Sequence, residues 1–265
     1  MSCYYYKTIK TSDNPILKNV DITIILMMEN SNRFKYDPFI LNLSKKTVIQ
    51  YNKGFRACKK PATITKSNED LNHAYYTAFN YAKNLNNVLI LEEDAEILYY
   101  DKYHYDIVDK YISGDFEIFS FANYGTFTEI DDNFYSSIYE CASHAQIISK
   151  SKREELIHKF IIKDFKGHID TNYFIKSVVY KHPLIVQLFP ETENRNNWGD
   201  GNRSSLDILL SNISIKVLKS DTDIHSWEKI YFISKLKGKL NIIFYICAIT
   251  LIIVYLIYRK KSILK

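Results

Sequence analysis

Glycine, proline and cysteine are all scarce, at 7, 5 and 4 residues in a chain of 265. So few glycines exclude a collagenous repeat and leave little material for a phosphate-cradling loop. Neither G-x-G-x-x-G, nor a G-x-S-x-G nucleophile elbow, nor H-E-x-x-H occurs. Cys3, Cys58, Cys141 and Cys247 are far apart and form no C-x-x-C pair. That spacing suggests neither a zinc site nor a disulfide framework, and the simpler expectation is a reducing compartment. A large surplus of one charge is missing too. The net charge is +5, but Arg259, Lys260, Lys261 and Lys265 all lie in the last seven residues, and the rest of the chain is nearly neutral. A duplex-binding face needs clustered, uncompensated Lys and Arg to displace counterions, so nucleic acid is not an expected partner.

What is present is a globular composition, 46% hydrophobic and 15% aromatic, enough for one substantial core plus an appendage. The appendage is C-terminal. Leu240 to Tyr258 reads LNIIFYICAITLIIVYLIY without a charge, and as a helix would rise roughly 28 Å, matching a bilayer core. The sequence therefore predicts a transmembrane helix over 240–258, followed by a basic tail at 259–265 and preceded by a polar linker at 221–239. With no apolar signal at MSCYYYKTIK, the expectation is a tail anchor at a membrane with the body in the cytosol. Were the body lumenal instead, Asn42, Asn202 and Asn212 would all stand in N-x-S sequons.

The body is read as an N-terminal arm at 1–19 and a domain at 20–220. VDITIILMM (20–28), TVIQY (47–51) and VLIL (88–91) are apolar, β-rich runs of the kind buried on both sheet faces. Between the last two, Leu71, Ala74, Tyr75, Ala78, Phe79 and Ala82 form a helical stripe, with Ser67 and Asp70 as an expected capping box. Strand, helix, strand implies a parallel α/β sheet. FEIFSF (116–121) and IYECASHAQIIS (138–149) are further strands, 151–162 is a helix capped by Ser151, and LIVQLF (184–189) is a short strand.

Ligands bind open α/β sheets at the carboxyl ends of strands, and Glu92, Glu93 and Asp94 end the most apolar strand. Adjacent carboxylates repel, and a hard cation such as Mg²⁺ or Mn²⁺ compensates them; the plain alternative is a solvated charged loop.

The run VLILEEDAEI, with SNEDLNHAYYTAFNYAKN before it and SHAQIISKSKREELI after it, resembles the family 25 type of glycosyltransferases with their LILEDD strand end. The resemblance spans about residues 20–200. It is closer still to similar proteins of large DNA viruses, through VIQYNKGFRACKK, DLNHAYYTAF, SHAQIIS and PLIVQLFPETENRNNW. The resemblance implies a GT-A-like, Rossmann-type, mostly parallel sheet flanked by helices, and a nucleotide-sugar donor such as a UDP-hexose. It also implies a D-x-D-type motif holding Mn²⁺ or Mg²⁺, and hexose transfer with inversion to a glycan or protein acceptor. E-D-D has become E-E-D here. On this reading Asp94 binds the metal, Glu92 lies near the donor ribose or a metal-bound water and is a second metal ligand, and Glu93 faces the other way behind them. Asp170 is the candidate base; its alternative role is the N-cap of a helix beginning TNYFIKSVV. His144 would line the donor pocket, as would Glu193 with Glu191 and Asn194 in PETEN. His73 is a packing residue or a ligand, and Lys59 and Lys60 are candidates for donor phosphates. Two other functions fit the same acids: a degenerate relative that binds glycans or nucleotides without turnover, and a metal-dependent phosphohydrolase or nuclease.

Overall fold

A computed structural model of the chain describes residues 2–141, 144–187 and 223–263. Eleven strands occur among them: β1 (Tyr4–Thr11), β2 (Ile22–Met28), β3 (Lys46–Asn52), β4 (Asn87–Glu92), β5 (Ala95–Ile97), β6 (Ile118–Ser120), β7 (Tyr124–Glu129), β8 (Phe134–Cys141), β9 (Ala145–Ser149), β10 (Lys176–Tyr180) and β11 (Ile185–Gln187). Five helices accompany them: α1 (Ser67–Tyr81), α2 (Lys102–Ile112), α3 (Lys150–Ile162), α4 (Ile169–Asn172) and α5 (Ser226–Ile263). Nine strands form one sheet in the order β1-β3-β2-β4-β9-β6-β10-β8-β7, and β11 pairs with β5 in a small second sheet.

The continuous apolar runs become central strands for the expected reason. In β2, Ile22, Ile24 and Leu26 feed the core under α1 and α3, while Ile25 and Met27 feed the opposite core under α2. The parallel order expected from sequence holds for β3, β2 and β4, and for β6 with β10. The other five pairings are antiparallel, so the large sheet is mixed rather than mostly parallel. Buried Arg153 locks α1, β4 and β9 together by donating to the carbonyls of Asn86 (2.9 Å), Ile148 (2.7 Å), Ala82 (3.2 Å) and Leu85.

Several local expectations are corrected. Residues 4–11, read as part of an arm, are the edge strand β1, paired antiparallel with β3. The helix α1 is capped from Lys66, with the Glu69 carboxylate accepting from the backbone of Thr65 (2.7 Å) and Lys66 (3.0 Å), not by Ser67 and Asp70. Ser149, not Ser151, caps α3. The long strand expected over 138–149 is two strands, β8 and β9. Asp170 lies within the four residues of α4 rather than capping a helix that begins at Thr171, and the chain turns into β10 at Lys176. The strand expected over 184–189 is observed at Ile185–Gln187, and its last two residues lie outside the described residues.

The supposed linker 221–239 is, from Ser226, the start of α5. Trp227, Ile230, Tyr231 and Ser234 are buried, and a Cβ on Gly238 would collide with the Phe127 carbonyl of β7. This stripe of large and then small residues at helical spacing lets α5 lie along the β7 edge. Its continuation through 240–258 is where a membrane-spanning helix was expected. Among the described residues no helix is long and apolar enough to cross a membrane; the side chains of 253–254 and 256–263 lie outside that description.

Cys3 and Cys58 form a disulfide, which overturns the expectation of unpaired thiols. They are 55 residues apart in sequence, and only the pairing of β1 with β3 brings them together.

Candidate functional site

The acids sit at the carboxyl end of β4. Glu92 is the last residue of the strand and points to the α1 side, where the Tyr75 hydroxyl donates to its Oε1 at 3.3 Å. Burial, the nearby Asp94 and then Asp170 push the Glu92 carboxyl up to about 8, so it holds a proton at neutral pH. Asp170 reaches this point because the loop between α3 and α4 is tied to α1: Asn72 Nδ2 donates to the carbonyls of Phe165 (2.6 Å) and Gly167 (2.8 Å). Positive φ angles at Asp164, Phe165 and Gly167 make the tight reversal.

Glu93 and Asp94 share one cation, with Asp94 also close to Glu92. Arg33, in the loop after β2, donates to Glu93 Oε1 at 3.0 Å and to Asp94 Oδ2. The Met28 backbone N–H adds a bond to Glu93 Oε2 at 3.1 Å, and Gln187 of β11 donates to Asp94 Oδ2 at 2.9 Å. Burial still raises both carboxyls above their ordinary values, against the pull of Arg33. Arg33 carried no signal in the local sequence. Its placement follows from topology: β2 and β4 are parallel neighbours, so the loops after both converge at one edge.

Asp94 Oδ1 is buried and accepts no hydrogen bond. With Glu92 beside it, this gives two oxygen-donor side chains, suited to a hard divalent cation that takes its remaining ligands from phosphate and water. Among the described residues no group of three or more His, Cys, Asp or Glu side chains is arranged to hold a metal.

The other expected residues are not gathered at this point. The His144 backbone carbonyl accepts from Glu92 N at 2.8 Å, but its imidazole is in the core, with Nε2 3.1 Å from the Ile185 carbonyl and the ring 5.3 Å from that of Trp227. Lys60 spends its ammonium internally on Asp70, Asn52 Oδ1 (2.6 Å) and Tyr4 OH (2.8 Å), with its side chain 1% exposed, which leaves it no N–H for a phosphate. Lys59 is exposed beside the disulfide. His73 packs within that cluster, its Nδ1 2.9 Å from Tyr4 OH, and burial and Lys60 lower it to about 4. Glu191, Glu193 and Asn194 lie outside the described residues, as do Asn202 and Asn212.

No family model and no curated protein sequence matches the chain. Three solved structures overlap it in part. A197 from STIV is 12% identical, with 51% of this chain and 68% of that one covered and a TM-score of 0.34. Apo UDP-glucose pyrophosphorylase is 12% identical with a TM-score of 0.34, and UDP-glucose pyrophosphorylase complexed with UDP-glucose is 11% identical with a TM-score of 0.36; each covers 63% of this chain and 74% of its own. Overlaps this weak carry no argument below.

Proposed function

We propose that the chain is a metal-dependent glycosyltransferase using a nucleotide-sugar donor, with a UDP-hexose as the first candidate and a glycan or protein as acceptor. The observation that supports this is the convergence of Glu92, Asp94 and Asp170 at one strand end, with Glu92 kept protonated by its neighbours. Such a group binds a dication and an anionic leaving group far better than it tolerates being left alone. Glu92, giving up its proton on binding, and Asp94 would hold the cation, which would stabilise the charge that builds on the departing diphosphate. Tyr75 orients Glu92, Gln187 orients Asp94, and Asp170 takes the proton of the acceptor hydroxyl. The test is hydrolysis of a nucleotide-sugar panel with Mn²⁺ and with EDTA; no donor turned over under either condition ends the enzyme reading.

One observation favours a second reading, a binding protein without turnover. Arg33 bridges Glu93 and Asp94 and already offsets part of their charge. Nucleotide-sugar binding that ignores Mn²⁺ and leads to no hydrolysis would establish it.

The place of action is part of the proposal. Among the described residues, Leu240, Ile243, Phe244, Ile246, Ile249 and Leu251 are exposed along α5. We propose that this stretch rests on a lipid surface. Full-length chain floating with liposomes, and a 1–239 chain staying behind, is the expected result; equal flotation of both refutes it.

A further inference from the structure

On the α2 face of the sheet, at the same edge as Glu93 and Arg33, three tyrosines from three segments meet. Tyr5 of β1 and Tyr51 of β3 are directly opposite in the antiparallel pairing, and their rings stack at 4.8 Å between centroids, 17° from parallel. Tyr36, three residues after Arg33, comes close to the Tyr51 hydroxyl and leans edge-on against Phe34 at 5.0 Å. The Glu29 carboxylate lies near the Tyr5 hydroxyl. Tyr5 is 41% exposed and Tyr36 53%. Cross-strand packing accounts for the stacked pair. It does not account for a third, largely exposed tyrosine delivered by the loop that also carries Arg33.

We infer that Tyr5, Tyr36 and Tyr51, rimmed by Glu29, form a binding ledge for a pyranose ring of a glycan. A pyranose has one face of C–H groups and a perimeter of hydroxyls. The C–H face meets the electron-rich faces of the tyrosines, and the hydroxyls meet Glu29 and the tyrosine hydroxyls. A nucleobase would stack on the same rings, but it offers few donors to the Glu29 carboxylate, whereas the hydroxyl perimeter of a neutral pyranose offers several. The ledge lies beside the acids because Met28, whose N–H binds Glu93, directly follows Met27, which is Tyr51's partner in the β2–β3 pairing. A glycan seated there is next to the proposed reaction centre, so the acceptor role of the ledge rests on the transferase reading, while glycan binding itself does not.

The experiment is saturation-transfer NMR on the full chain in a detergent without a sugar headgroup. The probes are methyl β-glucopyranoside and methyl β-galactopyranoside at about 20 mM, since a small ledge binds in the millimolar range. Saturation concentrated on the H1, H3 and H5 face is expected. It should drop about fivefold in Tyr51→Ser and in Tyr36→Ser, and stay unchanged in Tyr103→Ser, an exposed tyrosine elsewhere. Tyr36 lies in a loop, so its variant reports even if Tyr51→Ser unfolds. No saturation by either glycoside, or saturation surviving Tyr36→Ser in folded protein, overturns the ledge. Saturation by uridine that outcompetes both glycosides also overturns it, in favour of a base platform. Donor hydrolysis in the same samples separates the two ideas: its absence with glycoside binding intact refutes the transferase and leaves the ledge.

Discussion

The indole Nε1–H of Trp227 donates to the backbone carbonyl of Gln187 at 2.9 Å, and the side chain of that same Gln187 holds Asp94. A residue of the terminal helix thus fixes a residue that orients the candidate metal carboxylate, through two bonds. Trp227→Phe keeps a buried ring and loses the first bond, so it should cost about 1 kcal/mol in stability while also weakening nucleotide binding. Trp227→Ala opens a cavity and should cost about 3–5 kcal/mol. Thermal melts beside nucleotide titration test this; a Trp227→Phe variant binding as tightly as the parent would show that α5 has no hold on the site.

Arg33→Gln leaves Glu93 and Asp94 without their cation. Arg33 is partly exposed, so the loss in EDTA should be modest, on the order of 1 kcal/mol. Added Mn²⁺ should then raise the melting temperature of the variant more than that of the parent, because the acids have no other positive charge beside them. No gain in either protein would mean that no cation enters between Glu92 and Asp94.

Asp94→Asn preserves shape and removes the charge. It should lower Mn²⁺-dependent donor hydrolysis on the order of 10²-fold, close to 3 kcal/mol of transition-state stabilisation. Steady-state rates across a Mn²⁺ titration decide it, and a variant with parental rates removes Asp94 from the metal.

The Cys3–Cys58 bridge closes a loop of 55 residues, for which chain entropy gives a stabilisation of about 4 kcal/mol at most. Denaturant unfolding with and without reductant should separate by 2–4 kcal/mol, and thiol counting on the unreduced, denatured chain should find two reactive groups rather than four. Four would show that the bridge does not form.

His73 is neutral in the fold, with a value of about 4 against 6.5 for an ordinary histidine. A depressed base binds its proton more readily when unfolded, so its stability penalty is absent above about pH 6.5 and grows as pH falls towards 4. Glu92 has the opposite sign, since its raised value favours the fold at low pH. The comparison must therefore be a difference between parent and His73→Gln, in which the Glu92 contribution cancels. The parent should lose on the order of 1–2 kcal/mol more between pH 6.5 and 4, after discounting for the ring's partial exposure to solvent. Parallel curves would refute the assignment.

The parts of the fold legible in sequence are those whose pattern is local and strong. β2, β3 and β4 are apolar on both faces, and α1 and α3 carry amphipathic stripes that no strand could present. β1 was not legible because YYYKTIKT, three adjacent tyrosines followed by mostly polar residues, lacks a strand's apolar alternation and on an edge strand is indistinguishable from a polar arm. α2 was missed because only Tyr105, Val108 and Ile112 of its eleven residues are buried. The start of α5 looked like a linker because its four lysines mask a narrow stripe ending in Ser234 and Gly238. At the site, the acids and Asp170 could be named from the chain, whereas Arg33, Gln187 and the disulfide depend on distant segments meeting. No local spacing encodes such meetings.

Gly238 still touches the Phe127 carbonyl of β7, and Leu240 begins the uncharged stretch only two residues later. There is consequently no slack between the body and whatever receives that stretch. A domain on a loose tether can swivel to meet partners from any side; under the lipid-surface proposal this one would sit at a set angle, the edge that carries the candidate site facing one direction. Its choice of acceptor would then be governed by which sugars reach that height and bearing as well as by what the cleft recognises. Six flexible residues inserted after Lys239 would separate the two, broadening the acceptors used while leaving the chemistry as it was.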